Sequence, residues 1–158
     1  MNIGTKSIIL GSASPRRKGL PAGLGIDFEV DTNNNFEEIY SAQTPHDKIP
    51  EVLSEGKSYG FHRELNENEI LITSDTLVLC EGRVMGKPRS REEAYEMLTL
   101  LSGRSHKVIT AVSIRDSKKI STSSDTAIVH FKELSDKEIY HYIDTYKPFD
   151  KAGAYGIQ

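Results

Sequence analysis

The chain has 158 residues and carries 20 Lys and Arg against 23 Asp and Glu, a formal net charge of −3. That length suits one domain with a real hydrophobic core, the acidic balance speaks against bulk affinity for nucleic acid, and the single cysteine, Cys80, excludes an internal disulfide framework and a Cys-rich zinc site. No apolar run reaches the ~18–20 residues of a membrane span and no secretory leader pattern opens the chain, so the expectation is a cytoplasmic protein with no membrane partner.

Ser7 to Leu10 is short and β-branched-rich and ends on Gly11, which predicts a buried strand. Ser14-Pro15 then reads as a helix start, with Ser14 as N-cap and Pro15 in the first turn. Gly19, Pro21, Gly23 and Gly25 predict that this helix is short. Residues 28–30 suggest a second strand and residues 31–43 a polar loop. Residues 45–61 have helical spacing at Ile49, Val52, Leu53 and Lys57, with Pro50 and Gly56 as interruptions. A charged turn at 64–69 follows. Apolar runs at 70–72 and 77–79 flank Thr73-Ser74-Asp75-Thr76, and Glu81-Gly82 predicts a hairpin returning through Val84 and Met85.

Two later helices have clearer signals. Ser90 with Glu93 forms a capping-box pattern, followed by an apolar face of Ala94, Met97, Leu98 and Leu101 and a stop at Gly103. Ser135 with Glu138 repeats the device, with a face of Ile139, Tyr142, Ile143 and Tyr146, and Pro148 ends it. Between them lie strand-like stretches 107–114 and 120–131, joined by a turn near Asp116-Ser117. The sum is a mixed α/β fold with parallel and antiparallel pairings, read as one domain over residues 1–158.

Four places could carry chemistry. A helix N-terminus has free N–H donors and partial positive charge. Acidic residues normally suit its first turn, yet Pro15 is followed by Arg16, Arg17 and Lys18, with Ser12 and Ser14 just before. Such groups bind a polyanion like a phosphate chain; the plain alternative is a capped surface helix with solvated arginines. This is no P-loop, because the Gly-Lys-Ser/Thr ending is missing. Asp75 lies in an apolar stretch, where an unpaired carboxylate is costly to bury. A carboxylate facing a cleft could hold Mg²⁺ or accept a proton from water. The local sequence alone favours a turn or capping Asp, since Thr73, Ser74 and Thr76 are turn-compatible. Lys87, between Gly86 and Pro88, could neutralise charge developing in phosphoryl chemistry; alone it reads as a solvated loop lysine, as does Lys57. In the final segment, Tyr155 could pack on a base and Gln158 could bond its edge, or the stretch is a Gly-rich turn. His46, His62, His106, His130 and His141 lack metal-ligand spacing and read as surface or satisfied core groups. Cys80 reads as a small apolar residue.

In order along the chain, these segments resemble the Maf family of nucleotide pyrophosphatases, also described as septum-formation inhibitor proteins. The resemblance runs through Ser12-Ala13-Ser14-Pro15-Arg16-Arg17, Ser74-Asp75-Thr76, Gly86-Lys87-Pro88, Leu101-Ser102-Gly103-Arg104 with His106, and Asp150 through Gln158. It implies a mixed twisted central sheet flanked by helices, similar to the ITPase-like fold, with a nucleotide-binding cleft. It also implies hydrolysis of a nucleoside triphosphate to the monophosphate and pyrophosphate with a divalent cation, Mg²⁺ or Mn²⁺. The Tyr155-Gly156-Ile157-Gln158 ending looks like the branch acting on dTTP and UTP.

Carried over by position, Ser12, Ser14, Arg16 and Arg17 match a phosphate-binding loop, and Asp75 the catalytic carboxylate and general base. Lys57 and Lys87 match two active-site lysines. Glu38 is preferred to Glu37 as the second acid, with Asp75 and Glu38 as the metal ligands, and Tyr155 and Gln158 as substrate contacts. Three departures stand out: Lys147 where the family usually has Glu, the Gly/Pro interruptions after the arginines, and family members that continue beyond the position of Gln158. The last leads to the expectation that a C-terminal segment is lacking. The implied partner is the nucleotide, with homodimerisation left open. The alternative function is a non-catalytic nucleotide-binding regulator of cell division. A nucleic-acid-binding module fits poorly, because the basic residues are dispersed.

Overall fold

The structure, a computed structural model, describes residues 4–157. Its strands form a mixed six-stranded sheet in the order β2-β1-β3-β5-β6, with β4 paired to β3. The strands are β1 Ser7–Leu10, β2 Glu29–Val30, β3 Glu69–Cys80, β4 Arg83–Met85, β5 Ser105–Arg115 and β6 Ile120–His130. The helices are α1 Pro15–Gly23, α2 Ile49–Tyr59, α3 Arg91–Leu101 and α4 Asp136–Tyr146. The mixed α/β architecture expected from the sequence is the one observed. The chain divides into two units, Met1–Asp75 with Thr110–Ser124, and Thr76–Ile109 with Asp125–Gln158.

In the first unit, β1 runs parallel to both β2 and β3, with Leu10 opposite Ile72. Ile8, Ile9 and Leu10 are all buried, as expected of a parallel strand covered on both faces. Ile9 and Leu71 pack with Phe61 and Leu65 into one cluster. Helix α1 begins with Pro15, whose missing N–H costs nothing there. It is short, as expected, at nine residues, and runs through Gly19 and Pro21 to Gly23. Its end is closed by the N–H groups of Leu24, Gly25 and Ile26 on carbonyls of residues 20–22. It buries no residue, so the usual core constraint on helix composition is absent. Ser14 stands at the N-cap position without making a side-chain capping bond, a departure from expectation.

The two breakers in α2 have separate explanations. Pro50 lies in its first turn, where proline is tolerated. Gly56 is required by packing, because a Cβ there would sit 2.2 Å from the Phe36 ring. The larger correction concerns residues 73–76. They form no turn; β3 runs unbroken for 12 residues through Asp75. Thr73 Oγ1 donates to the Ser54 carbonyl and Asp75 Oδ1 accepts from Lys57 Nζ, tertiary partners that remove the reason for the chain to reverse.

In the second unit, β3 turns into β4 through Glu81 (φ 48°) and Gly82 (φ 74°), the left-handed pair of a tight hairpin. Ser90 caps α3 by accepting from the Glu93 N–H at 3.0 Å. The Glu93 carboxylate, however, accepts from the Arg89 N–H rather than closing a full box on Ser90. The complete capping box is on α4, between Ser135 and Glu138. Ala94, Leu98, Ile139, Ile143 and Ala154 form one core cluster, and Val78, Cys80, Met85 and Leu101 another. Burial raises the pKa of the Cys80 thiol above its ordinary value, in keeping with a packing role.

Candidate functional site

The order β2-β1-β3 means that the chain leaves β1 towards one side and returns on the other. In open α/β sheets, the carboxyl ends of the strands flanking such a reversal form the crevice where ligands bind. The end of β1 is fixed by Gly11, whose N–H donates to the Ile72 carbonyl at 2.9 Å. A Cβ on Gly11 would lie 3.0 Å from the Thr73 methyl, so the loop 11–14 runs close beside β3. Just past that register, β3 continues through Thr73, Ser74 and Asp75. The topology thus brings the loop 11–14 to the part of β3 that leads to Asp75, within one unit of the chain.

Asp75 is 9% exposed. Its Oδ1 accepts from Lys57 Nζ at 2.7 Å, and the same ammonium lies 2.8 Å from Glu38 Oε1. Lys57 therefore bridges one buried and one largely exposed carboxylate. Arg17 donates from Nη1 to the Ser74 carbonyl at 2.9 Å, next to Asp75. Ser12 is buried, and its Oγ accepts from the Ser14 N–H at 3.3 Å, which ties the loop to itself; Arg16 is exposed. Burial raises the Asp75 carboxyl above its ordinary value of 3.8. Lys57 opposes that rise, Glu38 adds to it and Arg17 opposes it more weakly. Burial is also the main reason the Arg17 pKa is lowered.

The arrangement is chemically specific. It joins a desolvated carboxylate of enhanced basicity to an ammonium and a guanidinium, beside an exposed helix start bearing Arg16. Asp75 and Glu38, brought together by Lys57, also present hard oxygen donors. That donor set fits Mg²⁺ or Mn²⁺, which are bound by a carboxylate or two and completed by water and phosphate oxygens. Among the described residues there is no cluster of three or more His, Cys, Asp or Glu able to hold a metal.

Lys87 and Tyr155 belong to the second unit. Lys87 is exposed after the hairpin. The Tyr155 hydroxyl lies 2.6 Å from His106 Nε2, and its ring meets those of His106 and Phe131 edge to face. Burial pushes the Tyr155 phenol up to about 12, so it stays protonated. His106 corrects the reading of satisfied histidines: it is 3% exposed and its Nδ1 has no hydrogen-bond partner among the described residues. Gln158 lies outside the described residues.

Sequence reasoning missed a group of buried hydroxyls behind Lys57 and Asp75. Thr73 Oγ1 donates to the Ser54 carbonyl at 2.8 Å, and Ser54 Oγ lies 2.8 Å from Ser113 Oγ. The available signal was spacing. Ser54 and Lys57 share a helix face, and Thr73 and Asp75 share a strand face.

The family model described as Maf-like protein matches residues 7–158. The chain is 44% identical over 157 residues to a dTTP/UTP pyrophosphatase of Bacteroides thetaiotaomicron, covering 99% of this chain and 81% of that protein. It is 44% identical over 151 residues to a dTTP/UTP pyrophosphatase of Flavobacterium johnsoniae, covering 96% and 77%. It is 42% identical over 159 residues to one of Porphyromonas gingivalis, covering 99% and 80%. Among solved structures, a HAM1 protein from Coxiella burnetii is similar at a TM-score of 0.47 and 12% identity, covering 79% of this chain and 72% of that one.

Proposed function

The chain belongs to the Maf family, and from that membership we propose that it is a nucleoside triphosphate pyrophosphatase acting on dTTP and UTP. The products are the nucleoside monophosphate and pyrophosphate. The observation that carries the reading is the Lys57-bridged pair of Asp75 and Glu38 beside the arginine-bearing start of α1.

In this reading Arg16 and Arg17, with the N–H groups at the start of α1, receive the triphosphate. Asp75 holds the attacking water and accepts its proton; desolvation makes its carboxylate a stronger base than an exposed one. The water oxygen bonds to the α-phosphorus as the bond from that phosphorus to the bridging oxygen breaks, and pyrophosphate leaves. Lys57 keeps Asp75 and Glu38 oriented and compensates their charge. Asp75 and Glu38 would hold a divalent cation, which would supply neutralisation of the phosphate charge. Lys87 as a cation for the leaving group, and Tyr155 and Gln158 as base selectors, are assignments supported by their motifs alone. The substrate and chemistry suit a cytoplasmic enzyme.

A panel of nucleoside triphosphates, assayed for pyrophosphate release with Mg²⁺ or Mn²⁺, tests the proposal. Turnover of dTTP and UTP above the purine nucleotides is the expected result. Nucleotide binding without turnover of any of them would replace the enzyme with a nucleotide-binding regulator.

A further inference from the structure

Lysine carries its charge on a flexible four-carbon stem, so where Lys57 Nζ rests depends on how α2 is held against β3. Two successive rungs join these elements. At the outer one, Lys57 meets Asp75 at 2.7 Å. At the inner one, Thr73 Oγ1 donates to the Ser54 carbonyl at 2.8 Å, while Ser54 Oγ lies 3.3 Å from the Thr73 carbonyl. The inner rung extends through Ser113 Oγ, 2.8 Å from Ser54 Oγ, to Thr122 Oγ1, 2.8 Å further on. On the other side of Lys57, Arg115 donates from Nη2 to the Ser58 carbonyl at 2.7 Å and from Nε to its Oγ at 3.0 Å.

Ser54 and Ser113 are wholly buried and Thr73 is 1% exposed. Buried hydroxyls are costly unless bonded, and a bonded network fixes one relative placement of its elements where apolar packing would tolerate several. A helix fixed along its axis and about it puts the residue at i+3 in a single place. We propose that Ser54 and Thr73 are positioning residues for the hydrolytic reaction, holding α2 in the register that delivers Lys57 Nζ to Asp75 and Glu38. This rests on the pyrophosphatase reading for its catalytic consequence, though not for the geometry itself.

The test compares Thr73→Val, which keeps shape and removes the hydroxyl, with Thr73→Ser, which keeps the hydroxyl, and with Ser54→Ala. For Thr73→Val, kcat for dTTP is expected to fall about 10- to 100-fold with KM nearly unchanged, as misplacement of a catalytic group does. Melting is expected to fall by only about 2–4 °C. Thr73→Ser should recover kcat, and Ser54→Ala should lose it as Thr73→Val does. A crystal structure of Thr73→Val should show Lys57 Nζ out of hydrogen-bond reach of Asp75. Wild-type kcat in Thr73→Val and Ser54→Ala, or Lys57 still on Asp75 in the crystal, would overturn the proposal. If the wild-type protein releases no pyrophosphate from any nucleotide, the pyrophosphatase reading fails, and the crystallographic distance alone decides the positioning.

Discussion

Asp75 is held at a cost to stability. Its carboxyl pKa is raised by burial, so between the ordinary value of 3.8 and its folded value the native state binds more protons than the unfolded chain. Stability attributable to this group is therefore intact below about pH 3.8, falls as pH rises through that window, and stays lowered above it. Asp75→Asn removes the charge and is expected to melt higher than wild type at neutral pH, with the difference vanishing under acid conditions. The same variant should lose at least ~100-fold in turnover, the scale of a lost general base, while still binding nucleotide. Melting curves from acid to neutral pH, together with a pyrophosphate assay, check both halves. An Asp75→Asn protein with full turnover would remove Asp75 from the mechanism. Glu38, whose side chain is 63% exposed, carries no comparable burial cost. Glu38→Gln is accordingly expected to change turnover while leaving melting within about 0.5 kcal/mol of wild type.

The elements show which sequence signals are sufficient by themselves. The α4 capping box and its buried Ile139 and Ile143 were readable because caps and helical faces are set by neighbours a few residues apart. The Glu81-Gly82 hairpin was readable for the same reason. Thr73 to Asp75 was not. Turn-compatible residues become strand residues there because Thr73 finds Ser54, and Asp75 finds Lys57, partners from a distant stretch of sequence. Gly56 shows the same limit, since nothing local announces the Phe36 ring against it. Intrinsic propensity favours Ala over Gly in a helix by about 1 kcal/mol, yet Gly56→Ala is expected to destabilise by about 1–3 kcal/mol through overpacking on Phe36. Urea denaturation decides between the two signs, and a gain in stability would mean that Phe36 moves aside freely. At the end of α4, Lys147 adopts φ 47°, a left-handed conformation that costs a side-chain-bearing residue about 1–2 kcal/mol. Lys147→Gly should therefore raise stability by roughly 1 kcal/mol and leave turnover unchanged.

At the scale of the whole molecule, the sequence exposed the ordered segments that resemble the Maf family, and the family model spans residues 7–158. Those segments are short and local, which is why they survive in the sequence where the hydroxyl network behind them does not stand out. The parallel register of β1 with β3 supplies what the segments lack singly, the juxtaposition of the arginine loop with Asp75. No helix among the described residues is long and apolar enough to cross a membrane. Chelation of divalent cations is expected to abolish turnover, and added Mg²⁺ or Mn²⁺ to restore it, because two carboxylates and a triphosphate together carry charge that the cations of this site do not balance. The most direct measurement of the central claim is hydrolysis of dTTP in ¹⁸O-labelled water, with both products analysed by mass. Label in dTMP and none in pyrophosphate is the expected result, because the proposed mechanism has the water held by Asp75 attack the α-phosphorus. Label in pyrophosphate, or release of dTDP and phosphate, would contradict it.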